Sequence, residues 1–361
     1  MVLNLGNKVN KDYFKDLDPF SLNKKDKIKF FLKEINILNK YHYKHSKEFK
    51  KIIDFLNYNL TSKNLEDLPF LPTRLFKEFK LLSVAPKKIF KVLHSSGTSG
   101  QAQSQIYLDK ENANNQMKVL SKIMLPITGN ERLPMLIVDK NPKNNNDKQL
   151  SAKSAAINGF SFFGKNHTYL LNNRNEIDYE VLNNFLNIYG DKKFLTFGFT
   201  SIVYENLYEK IFVDSLSRNF SNAILIHGGG WKKMEKIRIN NLEFKKKLNK
   251  KLNIKKIYNY YGLVEQTGSI FFECKFCSCF VASAFSEVLV RDKYLKVIKG
   301  GKKGFLQLIS LLPSSYPGHS ILTEDIGEIV ENENCDCGEY GTRFLVHGRS
   351  SQSEVRGCSD I

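Results

Sequence analysis

Apolar positions along the chain change between helical and strand-like spacing. Between residues 28 and 38 they recur at steps of three and four, which predicts a helix within 21–60 that is capped by Ser21. Further helices are predicted at 109–120, 178–189, 201–216 and 232–252. Short apolar runs predict buried strands at 134–138, 194–197, 223–226 and 256–258. Because strands that alternate with helices form covered parallel sheets, we predict an α/β protein with a largely parallel sheet flanked by helices.

Beyond residue 270 the pattern becomes β-rich, with strands predicted at 287–290, 305–309 and 344–346. Prolines at 69 and 72 interrupt the helical pattern before the first strands, which favours an extended connection there. We therefore predict a helical N-terminal extension at 1–65, a core at 66–348 and a tail at 349–361.

A loop rich in serine, threonine and glycine lies between two strand-like runs, 89–93 and 105–108. It reads His-Ser-Ser-Gly-Thr-Ser-Gly at 94–100. Its glycines widen the conformations open to the backbone, and its hydroxyls and amides are hydrogen-bond donors, so the loop suits phosphate oxygens. It lacks the Gly-Lys-Ser/Thr ending of a Walker A loop, and an ordinary hairpin connection is the alternative.

Four other motifs lie beside predicted strands, three of them after a strand and one, Thr-x-Asp-x-Gly, at a turn before a strand. They are His-Gly-Gly-Gly at 227–230, Tyr-Gly-x-x-Glu at 261–265, Thr-x-Asp-x-Gly at 323–327 and Gly-Arg at 348–349. Ligands of open α/β sheets bind at the carboxyl ends of the strands, where we expect the loops 94–100, 227–231 and 260–268. Each motif alone is also compatible with a simple turn.

In this order the five motifs resemble the adenylate-forming superfamily of acyl- and aryl-CoA ligases, and within it most closely the acyl-protein synthetase (LuxE-type) family. The resemblance covers about residues 65–361 and is densest at 310–325 and 354–360. It implies the fold of an adenylate-forming N-terminal domain with a β-rich C-terminal part and no separate C-terminal lid domain. It also implies ATP and Mg²⁺ as cofactors.

The resemblance further implies roles for individual residues. Glu265 would hold Mg²⁺, Asp325 would bind the ribose, and Arg349 would close the site. The residues implied around the phosphates are Ser95, Ser96, Gly97, Thr98, Ser99 and Gly100. Those implied around the adenine are His227, Gly228, Gly229, Tyr261 and Gly262, with Tyr261 stacking on the base.

Two positions depart from the superfamily pattern. Gln103 stands where a lysine usually follows the glycine loop, and Val264 replaces the threonine that usually precedes the glutamate. The missing lysine would weaken the phosphate contacts unless Lys110 or Arg349 compensates.

Cys358 lies where the acyl-protein synthetases carry a near-terminal cysteine that receives the acyl group. Arg356 would favour its thiolate, which is the nucleophilic form. An acyl adenylate is a mixed anhydride, so attack by a thiolate requires no strong base. An inert cysteine is the alternative.

The other five cysteines form two groups, Cys-x-x-Cys-x-Cys at 274–279 and Cys-x-Cys at 335–337. Two such turns can supply the four thiolates of a structural Zn²⁺ site. Cys335 and Cys337 are the firmest predicted ligands, followed by Cys274, while Cys277 and Cys279 compete for the last place. Buried free thiols are the alternative.

Composition narrows the class of protein. The 361 residues are 42% hydrophobic, and the formal charge of +18 is spread over a lysine-rich surface, which does not favour nucleic acid as a partner. The N-terminus lacks a signal-peptide pattern and no apolar run reaches the length of a membrane span. We expect a cytoplasmic enzyme with reduced thiols.

The sequence therefore predicts an ATP-dependent ligase that converts a carboxylic acid, in particular a fatty acid, to acyl-AMP. The acyl group would pass to Cys358 and then to an acyl-accepting protein, either reductase-like or a carrier. One alternative is direct transfer to coenzyme A, a carrier protein or an amino sugar. Another is a basic, zinc-stabilised binding protein without enzymatic activity.

Overall fold

A computed structural model describes residues 12–95, 103–142, 152–331 and 335–350. It has an α/β architecture with a largely parallel sheet, a second, antiparallel sheet and a short β-hairpin. Ser96 to Gly100 and Cys358 lie outside the described residues, as do Arg356 and most of the predicted tail.

The N-terminal part is helical, with α1 at Tyr13–Asp16, α2 at Lys24–His45 and α3 at Lys47–Phe55. The single helix predicted within 21–60 is thus two helices. Asn23, not Ser21, caps α2, and the hydroxyl of Ser46 accepts a bond from the Phe49 amide to begin α3. An extended backbone at Ser46 ends one helix while its side chain starts the next, a double role that apolar spacing does not reveal.

The parallel sheet has the strand order β5-β4-β6-β7-β8-β9, and only β9 runs antiparallel to its neighbour. Its strands are β4 at Leu133–Lys140, β5 at Gly164–Leu171, β6 at Phe194–Phe199, β7 at Ala223–Gly228, β8 at Lys256–Tyr261 and β9 at Phe271–Phe272. Every residue of β6 and β7 is buried, as expected of central strands covered by helices on both faces.

The helices around this sheet are α5 at Lys110–Thr128, α6 at Ala152–Ser161, α7 at Tyr179–Tyr189, α8 at Thr200–Val203 and α9 at Asn241–Leu252. A π-helical segment, Tyr204–Lys210, extends α8. The predicted helix at 232–252 begins only at α9, because Asn240 caps it by accepting a bond from the Glu243 amide, and Lys232–Ile237 is a 3₁₀ turn. In the part of the chain described, no helix has the length and apolarity needed to cross a bilayer.

The antiparallel sheet has the order β10-β14-β13-β12-β11, with β1 at Leu71–Pro72 added in parallel beside β13. Its remaining strands are β10 at Phe280–Val281, β11 at Ser286–Arg291, β12 at Gly304–Ser310, β13 at Ser320–Val330 and β14 at Arg343–Arg349. This sheet is the predicted β-rich C-terminal part.

The third β element is the antiparallel hairpin of β2, Ile89–His94, and β3, Gln105–Asp109. A one-turn helix, α4 at Leu75–Glu78, precedes it. The glycine loop belongs to this hairpin and not to a strand of the parallel sheet, because β2 and β3 pair only with each other. The loops after β7 and β8 do lie side by side, since Gly228 pairs with Tyr260.

The N-terminal helices share a core with the rest of the chain. Phe31, Ile35 and Leu38 of α2 pack in one cluster with Phe285 and Ile309. The buried ammonium of Lys27 lies 3.0 Å from Glu287 and donates to the carbonyl of Ala282. The boundary at residue 65 stays a prediction, but apolar contacts continue across it.

Candidate active site

A cleft opens where the two sheets, the β-hairpin and α4 meet. Its lining comes from five separate stretches of sequence: the segment at α4, the end of β2, the 3₁₀ turn Val264–Gln266 after β8, the middle of β13 and the end of β14. The polar side chains among its lining residues are Thr73, Lys77, Ser95, Glu265, Thr323, Glu324, Asp325 and Arg349. Four of these belong to the predicted site.

Asp325 lines the cleft and is held in place by hydrogen bonds. The hydroxyl of Tyr261 donates to its Oδ2 at 2.6 Å, and the amide of Asp325 donates to Thr323 Oγ1 at 3.1 Å. Burial raises the pKa of Asp325, while the bond from Tyr261 and the charge of Arg349 act in the opposite direction. This places a fixed acceptor at the cleft wall.

Arg349 faces Asp325 because of strand register. The two residues are direct partners in the pairing of β13 with β14, and the Nε of Arg349 lies 3.7 Å from Oδ1 of Asp325. A guanidinium here offers donors in a planar fork to a phosphate or a ribose oxygen.

Glu265 connects the hairpin to the parallel sheet. It is buried in the 3₁₀ turn after β8, and its Oε1 accepts a bond of 2.7 Å from the hydroxyl of Ser104. The amide of Ser104 in turn donates to Ser95 Oγ at 2.9 Å. Burial raises the pKa of Glu265, and the Ser104 bond and the charges of Arg349 and Lys77 lower it. The glycine loop therefore starts and ends beside Glu265, although 96–102 lie outside the described residues.

Tyr261 is held in an aromatic cluster. Its ring centroid lies about 6 Å from those of Phe271, Phe280 and Phe344. Burial and the neighbouring Asp325 carboxylate raise the pKa of the hydroxyl well above its ordinary value. The hydroxyl is thus a fixed donor to Asp325, whereas stacking on a base remains a prediction.

His227 is not one of the residues that line the cleft. Its imidazole is buried against α9, with its centroid 4.4 Å from that of Phe244, and its Nδ1 lies 3.0 Å from Thr200 Oγ1. Burial lowers its pKa to about 3, with a smaller contribution from Lys245. In this geometry the imidazole is a neutral core group.

The predicted glycines lie at two neighbouring strand ends. Gly228 ends β7, and a Cβ there would lie 2.5 Å from the ring of Tyr260, so the position requires a residue without a side chain. Gly229 follows it, and Gly262 follows β8. None of the three is part of the cleft lining given above.

Three of the predicted zinc ligands come together beyond the cleft. The sulfur atoms of Cys274, Cys277 and Cys335 all lie within 4.8 Å of one another. Cys337 accepts hydrogen bonds from the Glu339 amide and from Arg343, and Cys279 donates to the carbonyl of Cys277. This thiol set is of a type that could bind a metal ion.

Sequence reasoning missed two polar residues of this region. Ser104 is a single serine just before a strand and belongs to no motif. Lys77 is one of many lysines in a basic chain, so its position alone does not mark it as functional. Lys77 lines the cleft and its charge acts on Glu265. Lys110, proposed as a substitute for the missing lysine, lies 6.0 Å from the centroid of the Phe90 ring on the hairpin.

Comparison with known proteins decides the family. The family model for the acyl-protein synthetase LuxE matches residues 5–361. This chain belongs to the LuxE acyl-protein synthetase family. It is therefore an AMP-forming ligase whose family activates acids as acyl adenylates, and the alternative of a non-enzymatic binding protein is wrong.

Solved structures agree with the fold of this LuxE family member. An open conformation of 2-hydroxyisobutyryl-CoA ligase in complex with 2-HIB-AMP and CoA superposes with a TM-score of 0.73 at 13% identity, over 91% of this chain and 71% of that chain. The same ligase in the postadenylation state with 2-HIB-AMP gives a TM-score of 0.69 at 13% identity, over 91% and 69%. No curated protein sequence is significantly similar to the chain.

Proposed function

We propose that this LuxE family member activates a fatty acid with ATP in the cleft and then transfers the acyl group to Cys358 and on to a partner protein. The observation that carries the first step is the convergence of Asp325, Arg349 and Glu265 on one cleft, in the order and context that the family pattern implies. The proposal of a fatty acid as substrate and of a protein as acceptor rests on the family resemblance.

In the first reaction a carboxylate oxygen of the acid attacks the α-phosphorus of ATP. The bond from that phosphorus to the bridging oxygen breaks, and pyrophosphate leaves. Asp325 accepts hydrogen bonds from the ribose hydroxyls, and Arg349 donates to a phosphate or ribose oxygen. Catalysis by such residues is mainly positioning and charge stabilisation.

Mg²⁺ fits the chemistry of this cleft because it takes oxygen ligands, and Glu265 is a carboxylate at the cleft wall. When bound, the ion would neutralise phosphate charge. Ser104 holds the orientation of Glu265 by its hydrogen bond, and the nearby cations keep the carboxylate more acidic than burial alone would allow.

In the second reaction the thiolate of Cys358 attacks the acyl carbon of acyl-AMP. The bond between that carbon and the phosphate oxygen breaks, AMP leaves with the electron pair, and a thioester remains. A nucleophile on the partner protein then takes the acyl group and the thiolate returns.

The proposal is tested by intact-mass analysis of the full chain after incubation with ATP, Mg²⁺ and a panel of fatty acids. We expect one acyl adduct that hydroxylamine removes and that Cys358→Ser abolishes, while Ser359→Ala keeps it. Carboxylate-dependent exchange of pyrophosphate into ATP should continue in Cys358→Ser.

Two results separate the alternatives. Exchange without any adduct on Cys358 would contradict self-acylation and favour direct transfer to coenzyme A, a carrier protein or an amino sugar. Absence of exchange with every acid of the panel would contradict the activation step with those substrates.

A further inference from the structure

The cysteine cluster lies at a structural junction between the two sheets. β9 belongs to the parallel sheet and β10 to the antiparallel sheet, and the turn 274–279 connects them. The turn is closed by a bond from the Cys274 amide to the Cys279 carbonyl and by the bridge of Glu273 with Phe280. Cys335 and Cys337 lie in the connection from β13 to β14.

The distances between sulfur atoms suit a shared metal ion. Cys274 Sγ lies 3.6 Å from Cys335 Sγ, far beyond the length of a disulfide, about 2.05 Å. Tetrahedral Zn²⁺ with Zn–S bonds of about 2.3 Å holds its thiolates about 3.8 Å apart. The separation is therefore close to that of two ligands of one zinc ion.

The two turns share one feature of backbone geometry: the residue after the second cysteine closes each of them. In the first turn the amide of Ser278 donates to the carbonyl of Cys274, four positions earlier. In the second turn the amide of Gly338 donates to the carbonyl of Cys335, three positions earlier. The residue that follows the second cysteine has a positive φ in both turns, 57° at Ser278 and 72° at Gly338.

Hydrogen bonds to sulfur also recur. The amide two residues beyond the cysteine donates to its sulfur in both turns, from Phe276 to Cys274 at 3.5 Å and from Glu339 to Cys337 at 3.4 Å. The buried Arg343 donates to Cys337 Sγ at 3.0 Å. Such donors surround metal-bound thiolates and stabilise their negative charge.

We infer that Cys274, Cys277, Cys335 and Cys337 bind one Zn²⁺ that ties the β9–β10 turn to the β13–β14 connection. Cys279 is not a ligand, because its thiol donates to the Cys277 carbonyl. Of the two cysteines that compete for the last ligand position, Cys277 therefore takes it. β14 starts beside this site and ends about 20 Å away at Arg349, which lines the cleft. The ion would therefore stabilise the position of a strand that contributes to the active site.

The test measures metal content of the full chain, purified in reductant without chelator after growth with added zinc. We expect about one zinc per chain for the parent and for Cys279→Ser, and a loss of most of it in Cys277→Ser and Cys335→Ser. Parent protein substituted with Co²⁺ should show the visible absorption and thiolate charge-transfer bands of a tetrahedral site. This measurement uses no variant, so it does not depend on whether a variant folds.

Removal of zinc by a chelator should lower the melting temperature by roughly 5 °C or more, and added Zn²⁺ but not Mg²⁺ should restore it. Three results would overturn the inference: a folded parent protein that contains no metal, disulfide bonds between the proposed zinc ligands, or a Cys277→Ser variant that keeps its zinc. It is independent of the acyl-transfer proposal, since no readout uses activity.

Discussion

At the scale of single residues, the cleft is defined by what fixes each charged group. Asp325 is oriented by Tyr261, which lies in the parallel sheet. It also pairs with Arg349, which lies in the neighbouring strand of the antiparallel sheet. Glu265 is oriented by Ser104 from the hairpin. Each carboxylate therefore depends on an element other than its own.

Tyr261→Phe removes the hydroxyl that orients Asp325 and favours its charged form. A hydrogen bond to a charged group contributes about 1.5–3 kcal/mol, so we expect the KM for ATP in pyrophosphate exchange to rise by about tenfold or more. The bond from Tyr261 lowers the pKa of Asp325, so its loss should raise that pKa. The acid limb of the pH profile should therefore move to higher pH. Tyr258→Phe, in the same strand, should leave both unchanged; equal effects in the two variants would contradict the assignment.

Lys77 is the residue we expect to supply the charge that Gln103 does not. It lines the cleft with Glu265, and its charge lowers the pKa of that carboxyl against the effect of burial. Lys77→Ala should reduce kcat/KM for ATP about tenfold, the effect of about 1.4 kcal/mol, and Lys77→Arg should retain most of the rate. Lys80→Ala is the control, because this exposed ammonium lies over the ring of Tyr107. An unchanged rate in Lys77→Ala would rule out this role.

At the scale of elements, the pairing of β13 with β14 determines the site. The register shifts by one residue between Ile326 and Gly327, so that Asp325 pairs with Arg349 and not with Gly348. A Cβ at Gly327 would lie 2.4 Å from the carbonyl oxygen of Leu345 and close to the side chain of Leu306. The register shift between β13 and β14 therefore requires glycine at position 327.

Gly327→Ala should therefore disturb the pairing and separate Asp325 from Arg349. We expect a loss of about 1–3 kcal/mol in the free energy of unfolding, measured by urea denaturation, together with weaker nucleotide binding. Gly159→Ala is the matched control, because this glycine lies within α6 with no atom within 4 Å of the added Cβ. It should stabilise the chain by about 0.5–1 kcal/mol, and a similar loss in both variants would contradict the argument.

The elements also show how far sequence reasoning reaches. The buried strands β6 and β7 and the capped helix α7 were predictable, since apolar runs and the Asp178 cap are local signals. The strand β5 was not, because most of its residues are polar and exposed or half-buried. The motif order predicts which residues share the cleft, whereas Lys77 and Ser104 meet Glu265 only through the tertiary fold.

At the scale of the whole molecule, two buried histidines couple stability to pH. His227 and His319 lie in separate parts of the core, and burial lowers the pKa of each from 6.5 to about 3. The folded chain keeps both neutral while the unfolded chain protonates them below pH 6.5. Each therefore contributes stability above that pH which is lost progressively as the pH falls toward 3.

We expect the free energy of unfolding to fall by about 1.4 kcal/mol per pH unit for each of the two residues between pH 6 and 4. Replacing one of these histidines by a side chain that does not titrate should make the dependence of the unfolding free energy on pH shallower by that amount. We would compare His319→Gln with the parent by urea denaturation at several pH values. The exposed His45→Gln serves as control and should keep the parental slope. Identical slopes in parent and His319→Gln would contradict the prediction.

The buried pair of Lys27 with Glu287 has a consequence for synthesis on the ribosome. The bond from Lys27 to Ala282 spans 255 positions, and that from His319 to Asn39 spans 280. At about 5–20 residues per second, roughly 10–50 s pass before the partners of α2 are made. The helix α2 must wait in water until residues 282–319 have been made, so we expect the nascent protein to rely on chaperones until then.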